Sequence, residues 1–244
     1  MHQRKEFISI IIPAYNESSR IFPSLARLDE YLGMNFGGFE LIVVNDGSSD
    51  STEDVVSRAK KEMPSIRYLG YKKNRGKGYA IRQGVVNSTG DIILISDADL
   101  STPIEELEKL LVPYDYGYPV VIGSRGLEGS NIVVRQTWWR ESMGKAFNRI
   151  VRIFLLREFK DTQCGFKLFH GGIGRKLFRE TIIDRFAYDV EVLYLATKAG
   201  YKVKEVPVTW LNSPASTVRP VKDSLRMARD LVRIRFQKNK LGTR

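Results

Sequence analysis

The sequence predicts an α/β protein with a doubly wound, mainly parallel sheet and basic amphipathic helices toward its C-terminal end. Three observations predict it. Short apolar runs alternate with stretches of helical period as far as Gly123, the order that builds a parallel sheet. One run, Ile92 to Ile95, is apolar throughout, as a strand buried on both faces must be. Polar clusters follow three of the runs: Tyr15-Asn16-Glu17, Asp46 and Asp97-Asp99. The carboxyl ends of parallel strands share one edge of a sheet, so these clusters should converge there.

The elements follow in order. Ser9 to Ile12 is a short apolar strand that ends at Pro13-Ala14-Tyr15-Asn16-Glu17. Ser18 or Ser19 then caps a helix whose apolar positions Ile21, Leu25, Leu28 and Leu32 keep helical spacing. Phe39 to Val44 is a second strand, and Asp50-Ser51-Thr52-Glu53 opens the next helix as a capping box. Ile66 to Gly70 is a third strand. The turn Asn74-Arg75-Gly76-Lys77-Gly78 leads from it into a helix ending near Asn87. The apolar run before Asp97 and Asp99 is a fourth strand, and Thr102-Pro103-Ile104-Glu105 reads as a capping box with proline at the first helical position. The helix it starts runs to about Val112, and Val120 to Gly123 is a fifth strand.

Beyond the fifth strand the pattern changes. Trp138, Trp139, Met143, Phe147, Ile150, Val151, Phe154 and Leu155 recur at helical spacing among Arg140, Lys145, Arg149, Arg152 and Arg157. Such a helix either packs on a core with a solvated basic face or lies in a lipid interface. Asp161 to Lys167 is an ordered loop or short strand, and a small helix surrounds Lys176. Phe186 to Glu191 opens a further helix. On it Asp189 and Glu191 point to different sides, because two residues advance by about 200°. Lys202 to Val206 is a strand, Ser213 to Ser216 an irregular loop, and Val221 to Lys238 a long basic helix.

The totals exclude several classes. A single cysteine, Cys164, rules out an intrachain disulfide framework and suits a reducing compartment. The two histidines, His2 and His170, cannot build a His-rich metal site, and no strained serine elbow accompanies His170, which argues against serine-hydrolase chemistry. The start MHQRKEFISIII has too short an apolar run for a secretion signal, and no window approaches the about 20 apolar residues of a membrane span. A soluble chain is expected. The net charge of +11 is uneven, with +5 between Arg135 and Lys160 and +7 between Ser213 and Arg244. Both an anionic membrane surface and a nucleic acid attract such stretches. Acids at a binding edge repel nucleic-acid phosphates, so a nucleic-acid-binding protein is the weaker expectation.

The pair Asp97 and Asp99 carries the chemistry. Each could be a turn or cap residue alone. Burying carboxylates beside an apolar strand is costly unless a cation compensates, and a hard divalent ion shared with substrate phosphates does so.

With Pro13-Ala14-Tyr15-Asn16-Glu17, Asn45-Asp46-Gly47-Ser48-Ser49-Asp50, Asn74-Arg75-Gly76-Lys77-Gly78 and Asp97-Ala98-Asp99 in this order, the chain resembles the family 2 nucleotide-sugar glycosyltransferases of GT-A fold. Its second half resembles their polyprenyl-phosphate branch, the dolichyl-phosphate glucosyltransferases and the related mannose synthases. The carriers there are Gly123-Ser124-Arg125, Trp139-Arg140, Asp161 through Lys167, Tyr188-Asp189-Val190-Glu191 and Ser224 to Leu231. The glucosyl members are the closer match.

The resemblance implies a catalytic domain over 1–212, with a loop and basic helix over 213–244 packed on it. It places Pro13, Tyr15, Glu17, Asp46, Lys77, Asp97 and Arg219 on the nucleotide sugar, and Asp97 and Asp99 on Mg2+ or Mn2+. Arg125 and Arg140 match positions that grip the lipid phosphate, a task suited to the guanidinium fork. Asp97, Asp99, Asp189 and Glu191 form the catalytic set, the last two as positioning groups. The implied reaction is inverting transfer of a hexose, glucose from UDP-glucose, to polyprenyl or dolichyl phosphate, with GDP-mannose as the alternative donor. The implied location is the cytoplasmic face of a membrane, peripherally bound. Three departures stand out: Asn45 where an aspartate is frequent, Ser101 where the mannose synthases often carry glutamine, and Thr217 where lysine is common, with Arg219 the basic residue nearby in its stead.

Overall fold

The computed structural model describes residues 3–133, 138–211, 220–237 and 241. Seven strands form one sheet in the order β3-β2-β1-β4-β7-β5-β8. They are β1 (Ile8–Ala14), β2 (Phe39–Asn45), β3 (Ile66–Gly70), β4 (Ile92–Ile95), β5 (Val120–Ser124), β7 (Lys167–His170) and β8 (Val203–Pro207). All neighbours are parallel except β7, which runs antiparallel to both β4 and β5. A separate two-residue pairing joins β6 (Asn131–Ile132) to β9 (Thr209–Trp210).

The central strands are apolar on both faces because both faces are covered. Ile8, Ile10 and Ile12 of β1 pack with α1 (Ile21–Asn35), α2 (Thr52–Glu62) and α4 (Leu107–Asp115). Ile11 points the other way, into a core shared with α3 (Lys77–Asn87), α6 (Gly171–Arg179) and α7 (Tyr188–Lys198). The same core takes Val151 from α5 (Trp138–Phe154) and Leu231 and Ile234 from α8 (Pro220–Phe236). Gly84 of α3 lets that helix lie against the sheet, since a Cβ there would run into Ile11 and come within 3.1 Å of Val44.

The fold class agrees with the sequence, while several local expectations need correction. Neither Ser18 nor Ser19 caps α1; Arg20 holds the N-cap position, and the Glu17 carbonyl accepts from the backbone of Arg20 and Ile21. No side-chain cap bond closes α2 at Ser51, where Asp50 instead accepts from Thr52 N at 3.0 Å. The segment after Pro103 begins as a 3-10 turn over Ile104–Glu106 before α4 starts, and Thr102 does not cap it. The segment that ends the Asp161 to Lys167 stretch is the start of β7, inserted between β4 and β5. Residue 167 of β7 faces Ile95 in register, which brings its loop to the edge that carries Asp97.

Candidate active site

The carboxyl ends of β1, β2 and β4 do converge, and the loops that leave them are tied together. Asn16, at φ 57°, donates its backbone N to Ser48 Oγ at 3.0 Å and accepts from Ser49 N at 2.8 Å. Glu17 N donates to Thr52 Oγ1 at 2.9 Å, and Ser18 N to Asp50 at 3.1 Å. Pro13 and Tyr15 lie half-buried at this junction. The Glu17 carboxylate pairs with Arg20. Asn45 uses both halves of its amide, donating to Tyr68 Oη at 3.0 Å and accepting from Ser48 N at 3.0 Å. That dual role suits asparagine where an aspartate is frequent.

Asp46 is buried and faces inward. One carboxylate oxygen accepts from Arg75 N at 2.7 Å; the other accepts from Gly76 N at 2.8 Å and Asn74 Nδ2 at 2.9 Å. It thereby fixes the turn before α3, and its contacts are to that turn rather than to an open surface. Gly76 has φ 111°, in a region that other residues rarely adopt.

The first turn of α3 delivers Lys77, whose Nζ lies 2.5 Å from Asp97 Oδ1. Burial pushes the Asp97 carboxyl up, but Lys77, Lys167 and Arg125 outweigh it and hold the group below its usual range. Gly165 packs against the Asp97 carboxylate, where a Cβ would collide with it. Two residues on, Asp99 accepts from Ser101 N at 3.0 Å and Ser101 Oγ at 2.6 Å, and Arg20 Nη1 stands 3.6 Å away. Leu100 between them adopts φ 47°, a strained conformation for a branched side chain.

Two further acid–base pairs flank this edge. The loop before β7 supplies Asp161, whose carboxylate takes Arg125 Nε at 2.7 Å and Nη2 at 3.0 Å. Burial would raise Asp161, yet Arg125 and the backbone donors bring it down to about 2. Lys167 is 0 % exposed and donates to the Cys164 carbonyl and to Asp189. Here burial wins: the Asp189 carboxyl lies above its ordinary value despite Lys167 and Lys77.

Asp189 and Glu191 do face different sides of α7. Glu191 is sealed from solvent, with one oxygen accepting from Ile182 N at 2.8 Å and the other from Ile183 N at 2.9 Å. Burial pushes its carboxyl up to about 7. Both oxygens bind main chain beneath a loop, an arrangement that accords with the positioning role expected of it. Arg140 belongs to α5, but its side chain lies outside those described; Arg219, Ser216 and Thr217 lie outside the described residues. Sequence reasoning gave no role to Lys167, Asp161 or Arg20. A lysine inside the run KLFH was the one available signal for the first.

No group of three His, Cys, Asp or Glu gathers among the described residues, so Asp97 and Asp99 stand as a pair of carboxylates without a third ligand of those types. Two carboxylates fit an ion that takes its remaining oxygens from a diphosphate and water.

Residues 9–183 match the family model Glycosyl transferase family 2. The chain belongs to this glycosyltransferase family. It is 37 % identical over 246 residues to a dolichyl-phosphate beta-glucosyltransferase of Dictyostelium discoideum, covering 95 % of this chain and 74 % of that one. Against the dolichyl-phosphate beta-glucosyltransferase of Saccharomyces cerevisiae it is 34 % identical, covering 96 % and 76 %. Among solved structures it shares its fold with glucosyl-3-phosphoglycerate synthase of Mycobacterium tuberculosis, crystallised with Mn2+ and UDP-glucose. There the TM-score is 0.66 and the identity 18 %, covering 94 % of this chain and 77 % of that one.

The Asp161–Arg125 pair yields a test independent of activity. The folded pKa of Asp161 is depressed from 3.8 to about 2, so its contribution is present above pH 3.8 and lost as pH falls through 2. That contribution is about 2 kcal/mol. Asp161→Asn should destabilise the protein by roughly 3 kcal/mol at pH 7, the low end for breaking a buried pair. Urea melts at pH 7 and pH 3 check both: the gap between variant and wild type should shrink at the lower pH.

Proposed function

We propose that this glycosyltransferase moves glucose from UDP-glucose to dolichyl or another polyprenyl phosphate, in one displacement that inverts the α-linked donor to a β-linked product. The observation that carries the reading is the Asp97–Asp99 pair at the converging strand ends, with Lys77 beside it. The named relatives support the sugar and the lipid acceptor.

Mg2+ or Mn2+ held by Asp97 and Asp99 would neutralise charge developing on the departing nucleoside diphosphate. Lys77 orients Asp97 and adds positive charge on the same side. Pro13, Tyr15 and Glu17 line the junction assigned to the nucleoside, and Asp46 contributes by shaping the 74–78 turn. Arg219 is assigned to the diphosphate by resemblance alone. On the acceptor side, a phosphate monoester with second pKa about 6 is already ionised at neutral pH and requires no general base. The burial of Asp189 against Lys167 accords with a positioning role. Asp161 engages the Nε and Nη2 edge of Arg125, presetting the guanidinium, and Arg140 is the second group assigned to the lipid phosphate.

The acceptor is a membrane lipid, and one surface suits contact with an anionic membrane. Helices α5 and α8 pack beside each other. Ile153 is 59 % exposed, Phe154 68 % and Phe236 79 %, and Arg149, Arg152, Arg233 and Arg235 are exposed with them. No helix among the described residues is long and apolar enough to cross a membrane. Peripheral attachment is the mode this surface supports.

Two measurements check these readings. Radiolabelled UDP-glucose incubated with dolichyl phosphate should give a chelator-sensitive, β-linked lipid product, whereas GDP-mannose should give little. Labelling from GDP-mannose alone would reassign the sugar, and labelling from neither donor would defeat the transferase reading. Flotation with vesicles containing phosphatidylserine should carry the protein upward, less so in high salt. Flotation indifferent to lipid charge would defeat the electrostatic part.

A further inference from the structure

The 74–78 turn is held from two sides by acids buried in the protein. On one side Asp46 binds the backbone of Arg75 and Gly76 directly. On the other, the turn and first residues of α3 press against the 181–185 loop. Tyr79 N donates to the Asp184 carbonyl at 2.9 Å. A Cβ on Gly76 would lie 2.5 Å from that carbonyl oxygen, and a Cβ on Gly78 2.6 Å from the Ile183 oxygen and 2.8 Å from that of Arg185. Backbone meets backbone here with no room for a methyl group, so a shift of the loop must shift the turn.

The loop in turn is set by Glu191, whose two oxygens take the N–H groups of Ile182 and Ile183. Arg82 of α3 closes the frame, donating to the Thr181 carbonyl at 2.9 Å and pairing with Asp184. Between the two tightly packed glycines stands Lys77, whose ammonium meets Asp97. An unbroken series of contacts therefore runs from Glu191 through the loop and the glycine turn to Lys77.

We propose that Glu191 is a positioning residue for the donor side of the cleft: through the 182–185 loop and the glycine turn it sets Lys77 against Asp97, touching no substrate itself. The inference rests on the transferase reading of Asp97. It assigns the second acid of the Tyr188-Asp189-Val190-Glu191 motif to the nucleotide half of the reaction, on the same helix whose Tyr188 packs against Gly78 of the turn.

Glu191→Gln keeps the size of the side chain but replaces one acceptor by a donor, leaving one of the two loop N–H groups unmatched. Calorimetric titration with UDP in the presence of Mn2+ reads the effect even in variants that transfer slowly. The displacement passed to Lys77 should weaken affinity measurably, by at most roughly tenfold, the ceiling that one buried hydrogen bond sets. In a Lys77→Met background the same change should cost less than about twofold, because the route ends at Lys77. Steady-state rates should agree, with the donor KM rising while the acceptor KM stays level. Arg82→Ala, which loosens the same loop from its far side, should show the same dependence on Lys77 and serves if Glu191→Gln fails to fold. Equal losses in both backgrounds, or a lower Tm with unchanged UDP affinity, would overturn the inference. A wild-type protein that neither binds UDP nor transfers sugar would overturn the transferase reading and the inference with it.

Discussion

Gathering acids at one edge of a sheet is the constraint on which the site depends, and the structure meets it with cations beside four of them, Arg20 being shared with Glu17. Asp97 has Lys77, Asp161 has Arg125, Asp189 has Lys167, and Asp99 has Arg20 at 3.6 Å. Removing a partner from any buried pair would leave a charge that the interior tolerates poorly. The pairs also cross-link distant parts of the chain. Lys77 joins α3 to β4, Arg125 joins β5 to the loop before β7, and Lys167 joins β7 to α7. The antiparallel strand β7 makes this possible, because it carries Lys167 between β4 and β5 to the edge where Asp97 stands.

This arrangement accords with the divalent ion of the proposed reaction. Lys77, Arg125 and Lys167 are each engaged by an acid of the cleft, so the charge of an incoming diphosphate would call for positive charge from outside. Asp97 and Asp99 can recruit it, and the low pKa of Asp97 keeps that carboxylate ionised for the purpose. In the proposed reaction the acceptor brings its own nucleophile, which would free Asp189 from service as a base. A cleft organised in this way does its work through placement and charge.

Much of this was legible in the sequence where the governing contacts are local. The apolar runs marked β1 to β5, and helical spacing marked α1, α5 and α8. The 200° separation put Asp189 and Glu191 on different faces. Long-range contacts were not legible. A carboxylate at a strand end reads the same whether it faces a ligand or clamps a turn, and Asp46 proved to clamp residues 74–76. Glu191 proved to hold Ile182 and Ile183. The strand β7 escaped because its four residues begin with a buried lysine, which breaks the apolar pattern that identifies a central strand. Serine and threonine suggested caps at Ser18, Ser19 and Thr102, while backbone and neighbouring loops supplied the bonds instead.

In the proposed reaction Asp97 and Asp99 join a nucleoside diphosphate to the protein through a divalent ion. The most direct test is titration of UDP into the wild-type chain with Mn2+ present and with the ion removed by chelation. Binding should tighten by at least about tenfold with the ion, equivalent to 1.4 kcal/mol, and Asp97→Asn should erase most of that gain. UDP binding equally well without the ion, in a protein that still folds, would contradict the account.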